Sequence, residues 1–211
     1  MRSSPWRWPL LIVLANAFVC VVVIGDTWVK QSMDGESRML VAEMGVDQAK
    51  AIHDRAVRWY TDLFVSTGVV GNSYRGLVPE GKDDIPVPGP SGQAGRMVFS
   101  WAKDRIQVFW TLVYQSLLRL SLAVSWIPAG LCLIVPAMVD GYMRRKIKQS
   151  NFDIASPDRF GFAVLAMQLM VAGYILVMFL PFPLPPIAPL LCFALTALCA
   201  RTLLSNLHKN I

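Results

Sequence analysis

The chain has 211 residues, of which 55% are hydrophobic and only 16% charged, with a net charge of +6 and a mean hydropathy of +0.46. Ordinary soluble domains carry roughly 25% charged residues. The composition therefore speaks against a soluble enzyme or a disordered tail and for an all-α membrane protein. Whether the positive surplus is a nucleic-acid footprint depends on where along the chain it falls.

Arg2 and Arg7 precede an apolar run over 8–25, which Asp26 and Lys30 end. A charged start before a greasy stretch is the pattern of a signal sequence. No small-residue cleavage pattern follows in Val22-Val23-Ile24-Gly25, and Phe18-Val19 lacks the small residue needed before a lipidated Cys20. The run is expected to be an uncleaved transmembrane helix behind a cytoplasmic stub, 1–7. Asn16 is expected to face another helix, since amides hydrogen-bond across helix pairs.

Residues 26–105 are the polar part, with ten Lys/Arg against eleven Asp/Glu. A helix is expected after an N-cap at Asp47. Its apolar face is Ala49, Ile52, Ala56, Trp59 or Tyr60, and Leu63, at steps of three to four residues. A shorter helix over 36–44 should stop at Gly45. Seven glycines and four prolines then fall between 68 and 95, and Pro86, Pro88 and Pro90 alternate. This predicts a Pro/Gly-rich loop and excludes a helix around those prolines. No GxxxxGK[ST] frame is present, so a phosphate loop has no support.

Residues 106–139 as one helix would measure about 51 Å at 1.5 Å per residue, against a hydrocarbon core about 30 Å thick. A second span over 120–139 fits that thickness. Arg119 then lies at the outer interface and snorkels to headgroups. Residues 97–118 become an amphipathic helix with Phe99, Trp101, Phe109 and Trp110 as interfacial aromatics. The rival placement over 108–127 would bury Arg119 at membrane depth and suggest an ion or substrate path. Pro128 and Pro136 predict a bend in the span and not a stop.

The loop 140–159 is the most basic short segment, with Arg144, Arg145, Lys146, Lys148 and Arg159. Ser156-Pro157-Asp158 is a helix start with a cap, proline at the first position and an acid in the first turn. The third span is expected over 160–180, a proline turn over 181–186, a fourth span over 187–204 and a C-terminal stub over 205–211. Ala194, Ala197 and Ala200 permit close helix approach in the fourth span. The basic residues at 2 and 7, in 140–159, and at Arg201 and Lys209 all fall on one side of a four-span topology. That side is cytoplasmic by the positive-inside rule, so both termini are inside and 26–119 is outside. The +6 is topogenic, with attraction to anionic lipid on the same face, and direct nucleic-acid binding is not expected.

Little suggests catalysis. Spans 120–139, 160–180 and 187–204 contain no Asp, Glu or His, which leaves neither an aspartate pair nor an intramembrane proton carrier. His53 and His208 are isolated and read as exposed helix-surface residues. The cysteines, Cys20, Cys132, Cys192 and Cys199, form no CxxC pair and read as small buried apolar side chains. No metal and no cofactor is expected. A pore subunit using Arg119 stays open, with Ser121, Ser125, Gln168 and Thr196 as polar lining.

The stretch Pro136-Ala137-Met138-Val139-Asp140-Gly141-Tyr142-Met143-Arg144-Arg145-Lys146-Ile147-Lys148, continued through Phe152 to Ser156-Pro157, resembles the integrating conjugative element membrane protein family. So do Met44-Gly45 and Ala56-Val57-Arg58-Trp59-Tyr60, and the arrangement of one span, a large external segment and three later spans. The resemblance covers most of the chain and supplies no catalytic residue. It implies a non-enzymatic inner-membrane accessory subunit of a conjugative type IV secretion apparatus. Its partners would be other membrane proteins of that machine or the coupling ATPase. Trp59, Tyr60, Asp140, Gly141, Arg144 and Arg145 are the candidate contact residues. The other readings are a transporter or pore subunit, and an exclusion or signalling protein acting in the recipient.

Overall fold

The computed structural model describes residues 25–77, 90–151 and 157–207, and all regular structure in them is helical. The expected helix at 8–25, with Asn16 and Cys20, and His208 lie outside the described residues. Seven α-helices follow one another there: α1 Asp26–Met44, α2 Val46–Tyr60, α3 Val69–Leu77, α4 Pro90–Ser125, α5 Ile127–Ser150, α6 Pro157–Met178 and α7 Ala188–Ser205. A π-helical turn, Thr61–Val65, extends α2. The chain divides into two compact units, one of Met1–Ser121 with Met178–Leu184, the other of Leu122–Val177 with Pro185–Ile211.

In the first unit α1 begins ten residues before the expected start at 36 and stops at Gly45, as its sequence implied. Gly45 has φ 84° and ψ 163°, a region essentially closed to side-chain-bearing residues. Asp47 is not the N-cap. It lies in the first turn of α2, where a negative charge still opposes the helix dipole. Ala49, Ile52 and Ala56 are buried as the periodicity predicted, but Leu63 is 56% exposed. The π-turn explains this. Ser66 N–H donates to Thr61 O across five residues, which slips the register and rotates Leu63 outward. Phe64 takes the inward place and contacts Tyr60.

The predicted loop over 68–95 is helical at both ends. Val69–Leu77 forms α3, and Pro90 opens α4, where its missing N–H costs nothing. Helix α4 runs 36 residues, about 54 Å. It contributes Val108 and Leu112 to a core with Val29. Further along, Gln115 and Arg119 meet Glu36, so α1 and α4 run in the same direction. Helix α2 runs the other way, with Ser121 Oγ donating to Ile52 O and Tyr60 against Trp110.

In the second unit the expected single span over 120–139 is interrupted. Helix α4 ends at Ser125 and α5 begins after Trp126 (φ −87°, ψ −5°). Pro128 has no N–H to give the carbonyl four residues back, and its ring disfavours helical geometry just before it. Pro136 sits inside α5 without ending it. Helix α6 starts at Pro157 with Asp158 in its first turn, and the proline segment separates it from α7. Ser156, the expected cap, lies outside the described residues.

Helices α5 and α7 pack side by side. A Cβ on Gly130 would lie 2.7 Å from the Phe193 ring, and one on Gly141 would lie 2.7 Å from the Arg201 carbonyl oxygen. The pairs 130 with 193 and 141 with 201 run in the same chain direction, so the two helices are parallel. The glycines of α5 therefore set the close approach. Of the alanines expected to do so, only Ala197 is buried.

Four helices are long and apolar enough to cross a membrane: Ser100–Ser125, Ile127–Ser150, Asp158–Met178 and Ala188–Ser205. The first belongs largely to what had read as an amphipathic lead-in. Of its apolar window 44% is buried in protein, against 11%, 6% and 17% for the others. Those three leave greasy side chains such as Leu131, Phe162, Leu169 and Leu195 uncovered, far more than a water-facing surface normally carries contiguously.

Candidate functional site: a buried charge centre and a cationic cleft

Two stripes with similar spacing create the first feature. On α1, Val29, Ser32, Glu36 and Leu40 are buried; on α4, Val108, Leu112, Gln115 and Arg119 are buried. Each stripe carries one charged residue, Glu36 on α1 and Arg119 on α4, and these two meet. Arg119 Nη2 lies 3.0 Å from Glu36 Oε2, with the side chains 3% and 4% exposed. Arg119 Nε donates to Glu36 Oε1 at 3.1 Å, and Gln115 Nε2 donates to Oε2 at 3.0 Å.

The outer face of the guanidinium donates to three carbonyls at the end of α6 and just beyond it: Met178 (3.1 Å), Leu180 (2.7 Å) and Phe182. Arg119 thus does not snorkel to headgroups. An uncompensated buried charge costs several kcal/mol, and here a carboxylate and oriented carbonyls offset that cost inside the protein. The centre is saturated by its own chain and offers no open nucleophile or base. Nearby polarity is less complete: among the described residues Gln115 Oε1 and Ser32 Oγ are buried without a hydrogen-bond partner.

An aromatic cluster lies on the same unit. Tyr60, Phe64, Trp110 and Tyr114 meet with ring centroids 5.4–6.2 Å apart, and Trp110 Nε1 donates to Ser73 Oγ at 3.0 Å, tying α3 to α4. Trp110 is 7% exposed, so it is a core residue and not an interfacial one, while Trp101 and Phe109 are exposed. The side chain of Phe99 lies outside the described residues. Burial, followed by the Tyr74 phenol, raises the Tyr60 pKa above its usual value. His53 is half-buried, not exposed. Its Nε2 hydrogen-bonds Tyr114 Oη at 2.9 Å.

The second unit carries a cleft of 610 Å³ where the C-terminal halves of α5 and α7 meet the first turn of α6. Arg144, Lys148, Arg159 and Arg201 line it, with Asp140 as the sole carboxylate among its lining residues. Asp140 accepts from Arg144 Nε at 3.0 Å and pairs with Arg201. Lys148 Nζ donates to Asn206 Oδ1 at 2.9 Å. Gly141 permits this arrangement, because any side chain there would push Arg201 away from Asp140.

The residues singled out from the sequence are therefore scattered. Asp140 and Arg144 share the cleft, and Gly141 builds it by packing. Arg145 lies outside its lining, and its buried Nε has no hydrogen-bond partner among the described residues. Tyr60 is committed to the aromatic cluster, and Trp59 is half-exposed on the same helix. Glu36, Gln115 and Arg201 were missed as a set. A signal existed for the first two. Glu36 interrupts an otherwise small and apolar stripe, and Gln115 stands one turn before Arg119. Among the described residues no group of three His, Cys, Asp or Glu could hold a metal ion.

No curated protein and no solved structure matches the chain. The family described as IncC plasmid conjugative DNA transfer protein DtrJ-like matches residues 9–208, which takes in the charge centre, the aromatic cluster and the cationic cleft. By that match the chain belongs to the DtrJ-like family of conjugative DNA transfer proteins.

Proposed function

We propose that the protein is a non-enzymatic accessory subunit of the inner-membrane part of a conjugative type IV secretion apparatus, acting by protein–protein contacts. Membership of a conjugative DNA transfer family over nearly the whole chain carries this reading. The same role fits carriage on an integrating conjugative element. The run over 8–25 and helices α5, α6 and α7 cross the bilayer, with 26–119 outside and both termini in the cytoplasm. Three features support the orientation. Parallel α5 and α7 suit two spans that cross in the same direction. The proline turn meets Arg119, and both belong to the outer side of this topology. Arg144, Lys148, Arg159 and Arg201 gather at one end, the side that the positive-inside rule assigns to the cytoplasm. The partners are other membrane proteins of the machine and the coupling ATPase, reached through the half-exposed Trp59 face outside and the basic α5–α6 region inside.

A clean deletion in the donor, complemented in trans, tests the reading. Transfer frequency should fall and recover on complementation, and the detergent-extracted protein should co-purify with transfer-machine membrane components. Unchanged transfer would overturn it. A defect confined to the recipient would favour the exclusion or signalling role instead.

A further inference from the structure

We propose that the cleft between α5, α6 and α7 is a binding site for an anionic phospholipid headgroup, with two-phosphate headgroups preferred over one. The inference rests on the membrane orientation proposed above and adds a ligand to it. Four cations and one carboxylate line the cleft, a net lining charge of +3 from 4 − 1. That surplus suits a polyanion better than a single phosphodiester. At ~30 Å³ per water, the 610 Å³ of the cleft holds on the order of twenty waters, more than one phosphate fills.

The walls identify the kind of molecule. Ile147 and Leu198 line the same cleft and are more than half exposed. From Leu198 the bare apolar surface continues along α7 through Leu195 and Leu191. A ligand that fills the cleft thus has phosphate at one end and hydrocarbon at the other. Asp140 holds Arg144 and Arg201 by ion pairs, so two guanidiniums are pre-positioned as phosphate forks. Basic pockets between spans on the cytoplasmic side are where such headgroups bind.

The full-length protein in nanodiscs or mild detergent tests this, with cardiolipin, phosphatidylglycerol and phosphatidylethanolamine as lipid probes read by native mass spectrometry. Cardiolipin should be retained over phosphatidylglycerol, and phosphatidylethanolamine should not be. Lys148→Gln with Arg159→Gln should weaken cardiolipin binding about 25-fold, from roughly fivefold per cation. Lys146→Gln, outside the cleft, should leave it unchanged. Equal retention of all three lipids, or indifference to the cleft variants, overturns the proposal. So does displacement of cardiolipin by inorganic phosphate or an acidic peptide at comparable concentration, since the ligand would then not be a lipid. Membrane-fraction recovery of the same preparations reads the orientation proposal's premise separately: a chain that stays dispersed without detergent fails there first.

Discussion

Removing one partner of the Glu36–Arg119 pair should be far more damaging than its two side chains suggest. Both are almost wholly enclosed, so a single truncation leaves the other charge buried and uncompensated, at about 3–5 kcal/mol. The two truncations differ. Glu36→Gln leaves Arg119 with its carbonyls at Met178, Leu180 and Phe182, whose dipoles still favour a cation. Arg119→Met leaves Glu36 with Gln115 as a donor and strips those carbonyls as well. The arginine variant should therefore sit at the upper end of the range. For a chain of this size 1 kcal/mol moves Tm by roughly 2–4 °C, which gives a drop of about 6–20 °C by differential scanning fluorimetry in detergent. The paired variant Glu36→Gln with Arg119→Met should lose less than the sum of the singles by about 2 kcal/mol. Strict additivity, or single variants within about 1 °C of the parent, would refute the claim that the two charges compensate each other.

Gly141→Ala places a methyl 2.7 Å from a backbone oxygen, which cannot swing aside. It should cost about 1–3 kcal/mol by overpacking and weaken cardiolipin retention by moving Arg201, measured by scanning fluorimetry and native mass spectrometry. Leu169→Asp lies on a 63% exposed position. If α6 faces lipid, the variant should lose membrane integration, at about 2.5–3.5 kcal/mol near a span centre, read by carbonate extraction. On a water-facing helix the same change would be harmless.

Much of the fold could be read in one dimension because local chemistry decides it. Gly45 ends α1, Pro157-Asp158 starts α6 and the 181–186 prolines part α6 from α7, each for reasons contained within a few residues. The face Ala49, Ile52, Ala56 followed from helical periodicity alone. The errors came where a distant residue decides. An arginine in an apolar run looks the same whether it meets a headgroup or a carboxylate 83 positions earlier. Val69–Leu77 carries two glycines, Gly71 and Gly76, yet its Ser73 bonds Trp110 on α4. A π-turn leaves no periodic mark before it shifts the register, so Leu63 seemed to continue a stripe that Phe64 completes. The cleft needed the parallel pairing of α5 with α7, which the basic loop could hint at but not specify.

The carbonyls that Arg119 holds belong to a stretch poor in its own amide hydrogens, since Pro181 and Pro183 can donate none. One guanidinium supplies hydrogen bonds that the backbone there lacks. Those acceptors are translated 59–63 residues after the arginine, whereas Glu36 is already made when Arg119 emerges. During synthesis the carboxylate is the counter-ion available first, and the late-arriving turn completes the arginine's coordination only when α6 has formed.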